Sequence, residues 1–419
     1  MSNLSELLPT GGGQNAVDFV ATGNLASGQT VALKADGTVE AVAGVAQGVG
    51  TPSVFESAAS NFNVATYDST NNKVVIAYRD NGNSFYGTAV VGTVSGTSIS
   101  FGTPVVFLSA TASYISITFD SSSNRVVIAY QDGGNSYYGT AVVGTVSGTS
   151  ISFGTAVVFN SGTTDYISTT YDATNGKIVI AYADNTPYAY GDGTAIVGTV
   201  SGTSISFGTA VVYENATTVQ TTAAYDSTNG KIVIAYADQG NSSYGTAIVG
   251  TVSGTSISFG SAVVFENANT SYTSATYDST NNKVVIAYRD QGNSSYGTAI
   301  VGTVSGTSIS FGTAVVFNAE TTSYIVATFD STNAKVVIAY VDGSNYGTAV
   351  VGTVSGTSIS FGAEVVFNAA FTYYNAATYD STNNKVVIGY RDEGNSAYGT
   401  AVVFTVASTN LSATTFLGI

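Results

Sequence analysis

Hydrophobic and polar positions along most of the chain follow one pattern, which predicts short antiparallel strands. In the first full copy we expect strand A at 63–67, strand B at 74–78, strand C at 86–94 and strand D at 98–107. Strand B is apolar almost throughout, which indicates burial on both faces. Pro104 fits an outer strand that need not donate every ladder hydrogen bond. Tight polar turns join the four strands into an expected antiparallel meander.

This pattern occurs seven times, at spacings of 50 to 54 residues, a period typical of solenoids, propellers and tandem arrays. Sheets buried on both faces need neighbours on both sides, and a closed ring provides them. The sequence therefore predicts an all-β fold, a seven-bladed β-propeller with four antiparallel strands per blade. A right-handed β-solenoid is the alternative; independent domains are disfavoured, because about 50 residues bury too little surface to fold alone. The aspartates that follow strand A mark the copies: Asp68, Asp120, Asp172, Asp226, Asp278, Asp330 and Asp380.

The ends of the repeat region predict how such a ring would close. The phrase Ser-Gly-Thr-Ser-Ile-Ser-Phe-Gly, first found at 95–102, occurs intact six times, so the seventh strand D is incomplete. Segments 50–55 and 409–412 correspond to its two halves. We therefore expect both termini to pair in one closing blade, the blade that contains Tyr379 and Val387.

The two ends of each blade differ in how strictly they repeat. Because the strands alternate in direction, the A–B and C–D turns share one end, and the B–C and D–A connections share the other. The A–B and C–D turns are nearly identical in all copies, whereas the predicted D–A loops at 56–60, 160–164 and 368–372 differ. Variable loops on a rigid frame are where binding sites concentrate, so recognition is predicted at the B–C/D–A end.

A second aspartate series follows strand B, mostly within Asp-x-Gly-Asn-Ser-x-Tyr-Gly-Thr. Ca²⁺ takes six to eight oxygens, and one such loop offers only about three or four, so no metal site is predicted. The structural interpretation is an Asx turn that caps backbone N–H groups. The functional interpretation is ligand contact by the carboxylates and amides, with the tyrosines as sugar platforms. The candidate ligand-binding residues are Asp80, Asn83, Tyr86, Asp132, Asn135, Tyr138, Asp184, Tyr190, Asp238, Asn241, Tyr244, Asp290, Asn293, Tyr296, Asp342, Tyr346, Asp392, Asn395 and Tyr398.

Two further series have a structural and a functional interpretation. The marker aspartates, such as Asp68, face a Lys73-type residue across the A–B turn, which predicts a turn cap and a weak exposed ion pair worth ~0.5 kcal/mol. Tyrosines after the predicted D–A loops either pack between blades or bind glycan. These tyrosines are Tyr114, Tyr166, Tyr272, Tyr324 and Tyr373.

Catalysis has little support in the sequence, and we expect no enzyme and no cofactor. The chain has no cysteine and no histidine, which removes the thiol nucleophile and the commonest general base. Arg79, Arg289 and Arg391 occupy the same slot in three copies, an arrangement that invites comparison with the carboxylate clamp of sialidases. Equivalent slots in separate blades are not expected to converge, and no nucleophile with an adjacent base is evident.

Charge and the terminal segments limit partners and location. The net charge of −15 would repel phosphate backbones and anionic membranes. The N-terminus lacks the basic and apolar regions of a signal peptide, and no apolar stretch is of transmembrane length. Two domains are expected: residues 1–45, a small β segment for attachment, and residues 46–419, the propeller.

Three segments resemble structural proteins of tailed phages. The stretch 19–39 is similar to the N-terminal segment of tail-fibre-like proteins, particularly of marine phages. The repeat Tyr-Gly-Thr-Ala-Val-Val-Gly-Thr-Val-Ser-Gly-Thr-Ser-Ile-Ser-Phe-Gly at 86–102 resembles repeats in such proteins, and 410–419 resembles the opening of a further module.

The resemblance implies a non-enzymatic virion protein, a fibre or surface appendage made in the host cytoplasm and released by lysis. Residues 1–45 would bind other virion proteins, and the propeller would contact a host-surface glycan or a protein receptor. The oligomeric state stays open, with a homo-oligomer on the particle as one option. The alternatives are an extracellular bacterial propeller lectin and an intracellular protein-interaction scaffold.

Overall fold

The computed structural model describes residues 20–21, 31–34, 36–41, 45–186 and 191–408. The chain divides into two compact units. The larger unit spans Val49–Phe404, and the smaller unit combines Met1–Gly48 with Thr405–Ile419. No described residue belongs to a helix that is long and apolar enough to cross a membrane.

In the smaller unit, Val31–Leu33 pairs antiparallel with Val39–Ala41. Asp36 caps the turn between these strands, because its Oδ1 accepts hydrogen bonds from the Thr38 N–H (2.9 Å) and the Thr38 hydroxyl (2.6 Å). A short β element therefore exists within the stretch where one was expected. The predicted strand half at 409–412 lies outside the described residues.

The larger unit is built from antiparallel strands, which confirms the all-β prediction. Each repeat has a B strand with the sequence pattern of Lys73–Asp80 and a C strand like Tyr86–Ser95. The other B strands are Arg125–Asp132, Lys177–Asp184, Lys231–Asp238, Lys283–Asp290, Lys335–Val341 and Lys385–Asp392. The other C strands are Tyr138–Ser147, Asp192–Ser201, Tyr244–Ser253, Tyr296–Ser305, Tyr346–Ser355 and Tyr398–Thr405. Single-turn 3₁₀ helices lie at Gln239–Asn241 and Glu393–Asn395.

The B strands form the centre of the hydrophobic core. Val75 and Ala77 of the first repeat pack in one cluster with Val126, Ile128 and Tyr130 of the second. The central side chains of each B strand are fully buried, and each large one contributes roughly 1.5–3 kcal/mol to folding. Neighbouring repeats thus supply both covered faces that the apolar runs predicted.

The predicted D–A loops are wrong, because a continuous strand replaces them in six repeats, and in the remaining one two strands are interrupted only at Thr322. Val105–Asp120 pairs by its first half with the preceding C strand and by its second half with the following B strand. We call such strands crossover strands; their polar residues suggested loops, but their backbone groups stay in the two ladders. The segments 56–60, 160–164 and 368–372 all lie inside them. The others are Ser53–Asp68, Val157–Asp172, Val211–Asp226, Val263–Asp278, Val365–Asp380, and Val315–Thr321 followed by Ser323–Asp330.

Predicted strand D is divided by a break that the next repeat explains. A short strand, Ser98–Phe101, ends at Gly102, and the crossover strand begins at Val105. A Cβ on Gly102 would lie 1.9 Å from the carbonyl oxygen of Thr149, so only glycine allows this contact between repeats. The other short strands are Ser150–Phe153, Ser204–Phe207, Ser256–Phe259, Ser308–Phe311 and Ser358–Phe361.

The beginning and end of the repeat region pair in one sheet. Tyr398–Thr405 pairs antiparallel with Ser53–Asp68, with Thr400 opposite Val54 and Ala401 opposite Ser53. The same sheet contains Val365–Asp380 and Lys385–Asp392. The pairing of segment 50–55 with the repeat that contains Tyr379 and Val387 is therefore confirmed, whereas closure into a ring stays a prediction.

Candidate binding site at the crossover end

Each repeat has two chemically different ends. At one end, here called the turn end, lie the turns between crossover and B strands and between C and short strands. At the other, the crossover end, the B–C turns lie beside the midpoints of the crossover strands. Ser60 pairs with Asp80 there, and the Asn81 N–H donates to the Ala59 carbonyl (3.0 Å).

At the turn end, the marker aspartates are buried caps. Asp68 is 1% exposed, and its Oδ1 accepts hydrogen bonds from the N–H groups of Thr70 (3.0 Å) and Asn71 (2.9 Å). The turn-cap prediction is confirmed, but the exposed ion pair with the lysine is wrong. The turn donors saturate the carboxylate, and the lysines extend elsewhere; Lys177 Nζ donates to Thr199 Oγ1 (2.8 Å).

At the crossover end, the second aspartate series also caps turns. Asp80 Oδ1 accepts from the N–H groups of Gly82 (2.9 Å) and Asn83 (3.1 Å). Each of the other six accepts at least one backbone N–H from its own turn: Asp132, Asp184, Asp238, Asp290, Asp342 and Asp392. The Asx-turn interpretation is therefore confirmed. A ligand role for the same carboxylates stays a prediction. Across the described ranges, no cluster of three acidic side chains could hold a metal ion.

The predicted asparagines and tyrosines of these turns remain dispersed over the repeats. Asn83 and its counterparts Asn135, Asn241, Asn293 and Asn395 are exposed. Tyr86 and its counterparts begin the C strands half-buried, except Tyr346, which is 40% exposed. Tyr190 lies outside the described residues. The structure thus places the candidate set in separate turns, and does not bring them together in one pocket.

A series of aromatic side chains, here called the aromatic belt, instead connects neighbouring repeats at the crossover end. Each crossover strand bends at one residue whose φ lies between 47° and 57°, a left-handed conformation that costs bulky residues about 1–3 kcal/mol. Gln220 occupies this position in the fourth repeat, where its Oε1 accepts the Tyr272 N–H (3.0 Å). Elsewhere ring centroids of neighbours lie 5.1–5.6 Å apart. The aromatic belt consists of Phe62, Tyr114, Tyr166, Tyr272, Tyr324 and Tyr374.

Four of the five tyrosines of the second predicted series belong to this aromatic belt. The fifth, Tyr373, does not, because Tyr374 takes the left-handed position in the seventh repeat. Burial raises the pKa of Tyr114 to about 12, and nearby Asp165 adds to that rise. Phe62 and Tyr374 were not among the predicted residues, although an aromatic residue occurs at this step in six of the seven copies.

Two arginines meet where the first and seventh repeats adjoin. Arg391 Nη1 donates to Asn61 Oδ1 (2.8 Å), and Asn61 pairs across the ladder with Arg79. The Arg79 guanidinium lies 4.9 Å from the Phe62 ring centroid, and the Phe62 and Tyr374 rings are 5.3 Å apart. The expectation that equivalent slots do not converge is wrong for this pair, because the slot faces the neighbouring crossover strand.

A cavity of about 520 Å³ opens beside this junction. Phe371 and Tyr373 form one wall with ring centroids 4.4 Å apart, and the Arg391 guanidinium lies 5.5 Å from the Tyr373 ring. Arg391 Nε and Glu393 Oε1 form an ion pair at 2.6 Å. The volume falls within the 300–1,000 Å³ of small-molecule sites. The lining residues are Tyr324, Phe371, Tyr373, Tyr374, Arg391 and Glu393.

The lining of this cavity agrees only in part with the sequence-based candidates. Tyr324 and Tyr373 belong to the second tyrosine series, and Arg391 is one of the three arginines singled out in the sequence. The candidate ligand-binding residues of the B–C turns are not among the lining residues. The site therefore lies at the predicted end of the repeats, but it is built from other side chains than the turn residues.

A second cavity of about 260 Å³ is lined by the second halves of the crossover strands, the halves that pair with the B strands. Ser168 Oγ accepts the Ala223 N–H (2.9 Å), and Thr222 Oγ1 accepts the Ala275 N–H (3.1 Å), so hydroxyls here join neighbouring repeats. Asn63 also lines this cavity, is 4% exposed, and its amide has no hydrogen-bond partner in the described part of the chain. The hydroxyls that line this cavity therefore contribute to the contacts between adjoining repeats.

Comparison with known proteins leaves the site to be judged from its own chemistry. No protein-family model matches the chain, and no curated protein matches it.

Proposed function

We propose that the larger unit is a seven-bladed β-propeller. The contact between the last and first repeats supports this arrangement because it repeats the chemistry of the other junctions. Tyr67 donates its hydroxyl to Thr382 Oγ1 (2.6 Å), as Tyr277 does to Thr228 Oγ1 (2.6 Å). Electron microscopy of the full chain tests the proposal: averaged images should contain a disc with sevenfold features, and an elongated rod would contradict it.

The propeller would be a non-enzymatic protein that binds a saccharide at the crossover end. The cavity between Phe371, Tyr373 and Arg391 is the observation that carries this function. Aromatic faces pack against the C–H face of a sugar ring, while the arginine, the carboxylate and the tyrosine hydroxyls supply directional hydrogen bonds. Glycoside hydrolysis would need two carboxyl groups across the scissile bond, and the cavity lining has one, paired with Arg391.

The binding protein would be part of a phage particle, as a fibre or surface appendage whose residues 1–45 attach to other virion proteins. The resemblance of the N-terminal stretch and of the repeat to tail-fibre-like proteins supports this location. A site present in the seventh repeat and built from residues that differ between repeats also suits a receptor-binding appendage better than a lectin with equal sites in every repeat. Antibodies against the larger unit should label intact particles; particles that never carry the antigen would end the proposal.

A glycan array with the full chain tests saccharide binding. We expect Tyr373→Ala to weaken binding about tenfold, because it removes the aromatic wall beside Arg391. Tyr138→Ala is the matched control, since Tyr138 begins a C strand at the crossover end of the second repeat, outside the cavity. Retained binding in Tyr373→Ala with lost binding in Tyr138→Ala would instead favour the candidate residues of the B–C turns.

A further inference from the structure

We infer that Arg79 and Arg391 form a carboxylate-binding subsite next to the aromatic cavity, so that the bound saccharide is acidic. This inference rests on the proposed saccharide-binding function and names its substrate class. It starts from the distribution of positive charge: the chain has a net charge of −15, yet two of its four arginines meet at one junction.

The two guanidinium groups retain donors for a ligand. Arg79 uses Nε to donate to Asn81 Oδ1 (3.2 Å), while its Nη1 and Nη2 have no hydrogen-bond partner in the described ranges. Its guanidinium lies over the rings of Phe62 and Phe85, at 4.9 and 5.6 Å from their centroids, and Phe85 is 47% exposed. Arg391 pairs with Glu393 through Nε and with Asn61 through Nη1. The junction therefore has two cations and one carboxylate.

Burial is the main cause of the lowered pKa of Arg79; Tyr374 opposes it, and the positive charge of Arg391 adds to it. Two positive charges at one junction disfavour each other, and an anion bound between them would offset this repulsion. A carboxylate accepts parallel N–H donors from arginine, and such charge-assisted pairs are the stronger hydrogen bonds.

The junction between the second and third repeats shows what is missing between the seventh and first. There Gln131 occupies the arginine slot and donates through Nε2 to Asp165 Oδ1 (2.6 Å), and Asn185 donates to Asp165 Oδ2 (2.9 Å). Asn61 holds the position of Asp165 in the first repeat. The protein's own carboxylate thus occupies the acceptor position at one junction, whereas at the other this position is the neutral amide of Asn61 beside two arginines, of which only Arg391 has an ion-pair partner within the described residues, Glu393. The ligand carboxylate would supply the acceptor that Asp165 supplies elsewhere.

The subsite can be tested by binding measurements on the full chain with matched pairs of oligosaccharides. Each pair consists of a glycan ending in glucuronate or N-acetylneuraminate and its carboxyl-reduced counterpart. We expect the acidic member to bind at least about tenfold more tightly, and Arg79→Gln and Arg391→Gln each to remove most of that preference. Arg289→Gln is the matched control, because Arg289 occupies the same slot in the fifth repeat and donates to Ser295 Oγ (3.1 Å).

Each outcome decides between the inference and the function beneath it. Equal binding of acidic and reduced members would overturn the carboxylate subsite and leave saccharide binding intact. Binding to neither member of any pair would overturn both. An equal loss in Arg289→Gln would also overturn the subsite, because the effect would then reflect overall charge. A sulfated glycan that binds while the carboxylated ones do not would contradict the carboxylate assignment.

Discussion

The turn end and the crossover end of the repeats both carry aspartates that cap turns, but they differ in how far the neighbouring residues vary. At the turn end, each marker aspartate is buried and accepts several hydrogen bonds from its own turn, in every repeat. At the crossover end, the residue directly before each capping aspartate is an arginine, a glutamine, an alanine or a valine, and the neighbouring residues change with it. The comparison teaches that folding fixes the capping aspartates of both ends, while the residue before each crossover-end aspartate is free to diverge.

The largest change in stability is expected when one capping aspartate is removed from each end in turn. Asp172→Ala at the turn end would remove the acceptor of the Asn175 N–H and of the Asn175 side-chain amide, while the Thr174 N–H would keep the Tyr225 hydroxyl as acceptor. We expect the free energy of unfolding to fall by about 2–3 kcal/mol, because several charge-assisted hydrogen bonds to a fully buried carboxylate are lost. Chemical denaturation measures this change.

The control is Asp132→Ala, where one exposed hydrogen bond from the Gly134 N–H is lost. Its expected cost is below about 1 kcal/mol. Equal costs at the two sites would break the distinction between a structural end and a divergent end.

The sequence predicted what depends on local patterns and on strict repetition. The apolar run at 74–78 indicated a doubly buried strand, and Asp68 with its polar neighbours indicated a capped turn; both depend on residues close in the chain. The crossover strand at 53–68 could not be predicted, because its polar midpoint looks like a loop until two ladders hold it extended.

The site depends on contacts over much longer distances. Arg391 and Asn61 are separated by 330 residues, and their meeting follows from the pairing of the last repeat with the first. The aromatic belt likewise depends on strained residues such as Phe62. A left-handed conformation has no signal in the sequence when the residue is not glycine or asparagine. Differences between the copies were the available signal, and they drew attention to the slot of Arg79, Arg289 and Arg391 without revealing which slots adjoin.

A second prediction sharpens the comparison through pH. Burial raises the pKa of Asp120 at the turn end, but hydrogen bonds from Ser123 and Ser122 outweigh it, and the pKa lies below the usual 3.8. An acid whose pKa is lowered by folding stabilises the fold above its unfolded pKa, and this stability is lost as pH falls through the folded pKa. Asp120→Asn should therefore cost about 1–2 kcal/mol at neutral pH. This difference from the wild type should shrink in the window below pH 3.8.

Asp165 at the crossover end provides the opposite sign. Burial raises its pKa above 3.8 despite hydrogen bonds from Asn185 and Gln131. The ionised Asp165 therefore destabilises the folded state, and this destabilisation is relieved as pH falls through the raised pKa of the folded state. The stability difference between Asp165→Asn and wild type should change above pH 3.8, before that of Asp120→Asn. Denaturation curves in small pH steps measure both variants, and a common window would contradict the distinction.

The smallest prediction concerns divergence within the crossover end itself. The buried Tyr78 donates its hydroxyl to Glu56 Oε2 (2.9 Å), whereas Leu108 holds the glutamate position in the second repeat and the Tyr130 hydroxyl has no partner among the described residues. Tyr78→Phe should destabilise the fold by about 1 kcal/mol, because Glu56 loses a donor. Tyr130→Phe should be neutral or stabilise the fold by up to about 1 kcal/mol, because it removes an unpaired buried hydroxyl. Thermal or chemical unfolding of the two variants measures the contrast. Equal destabilisation by both would mean that the glutamate makes no contribution, and that divergence at this position has no energetic consequence for the fold.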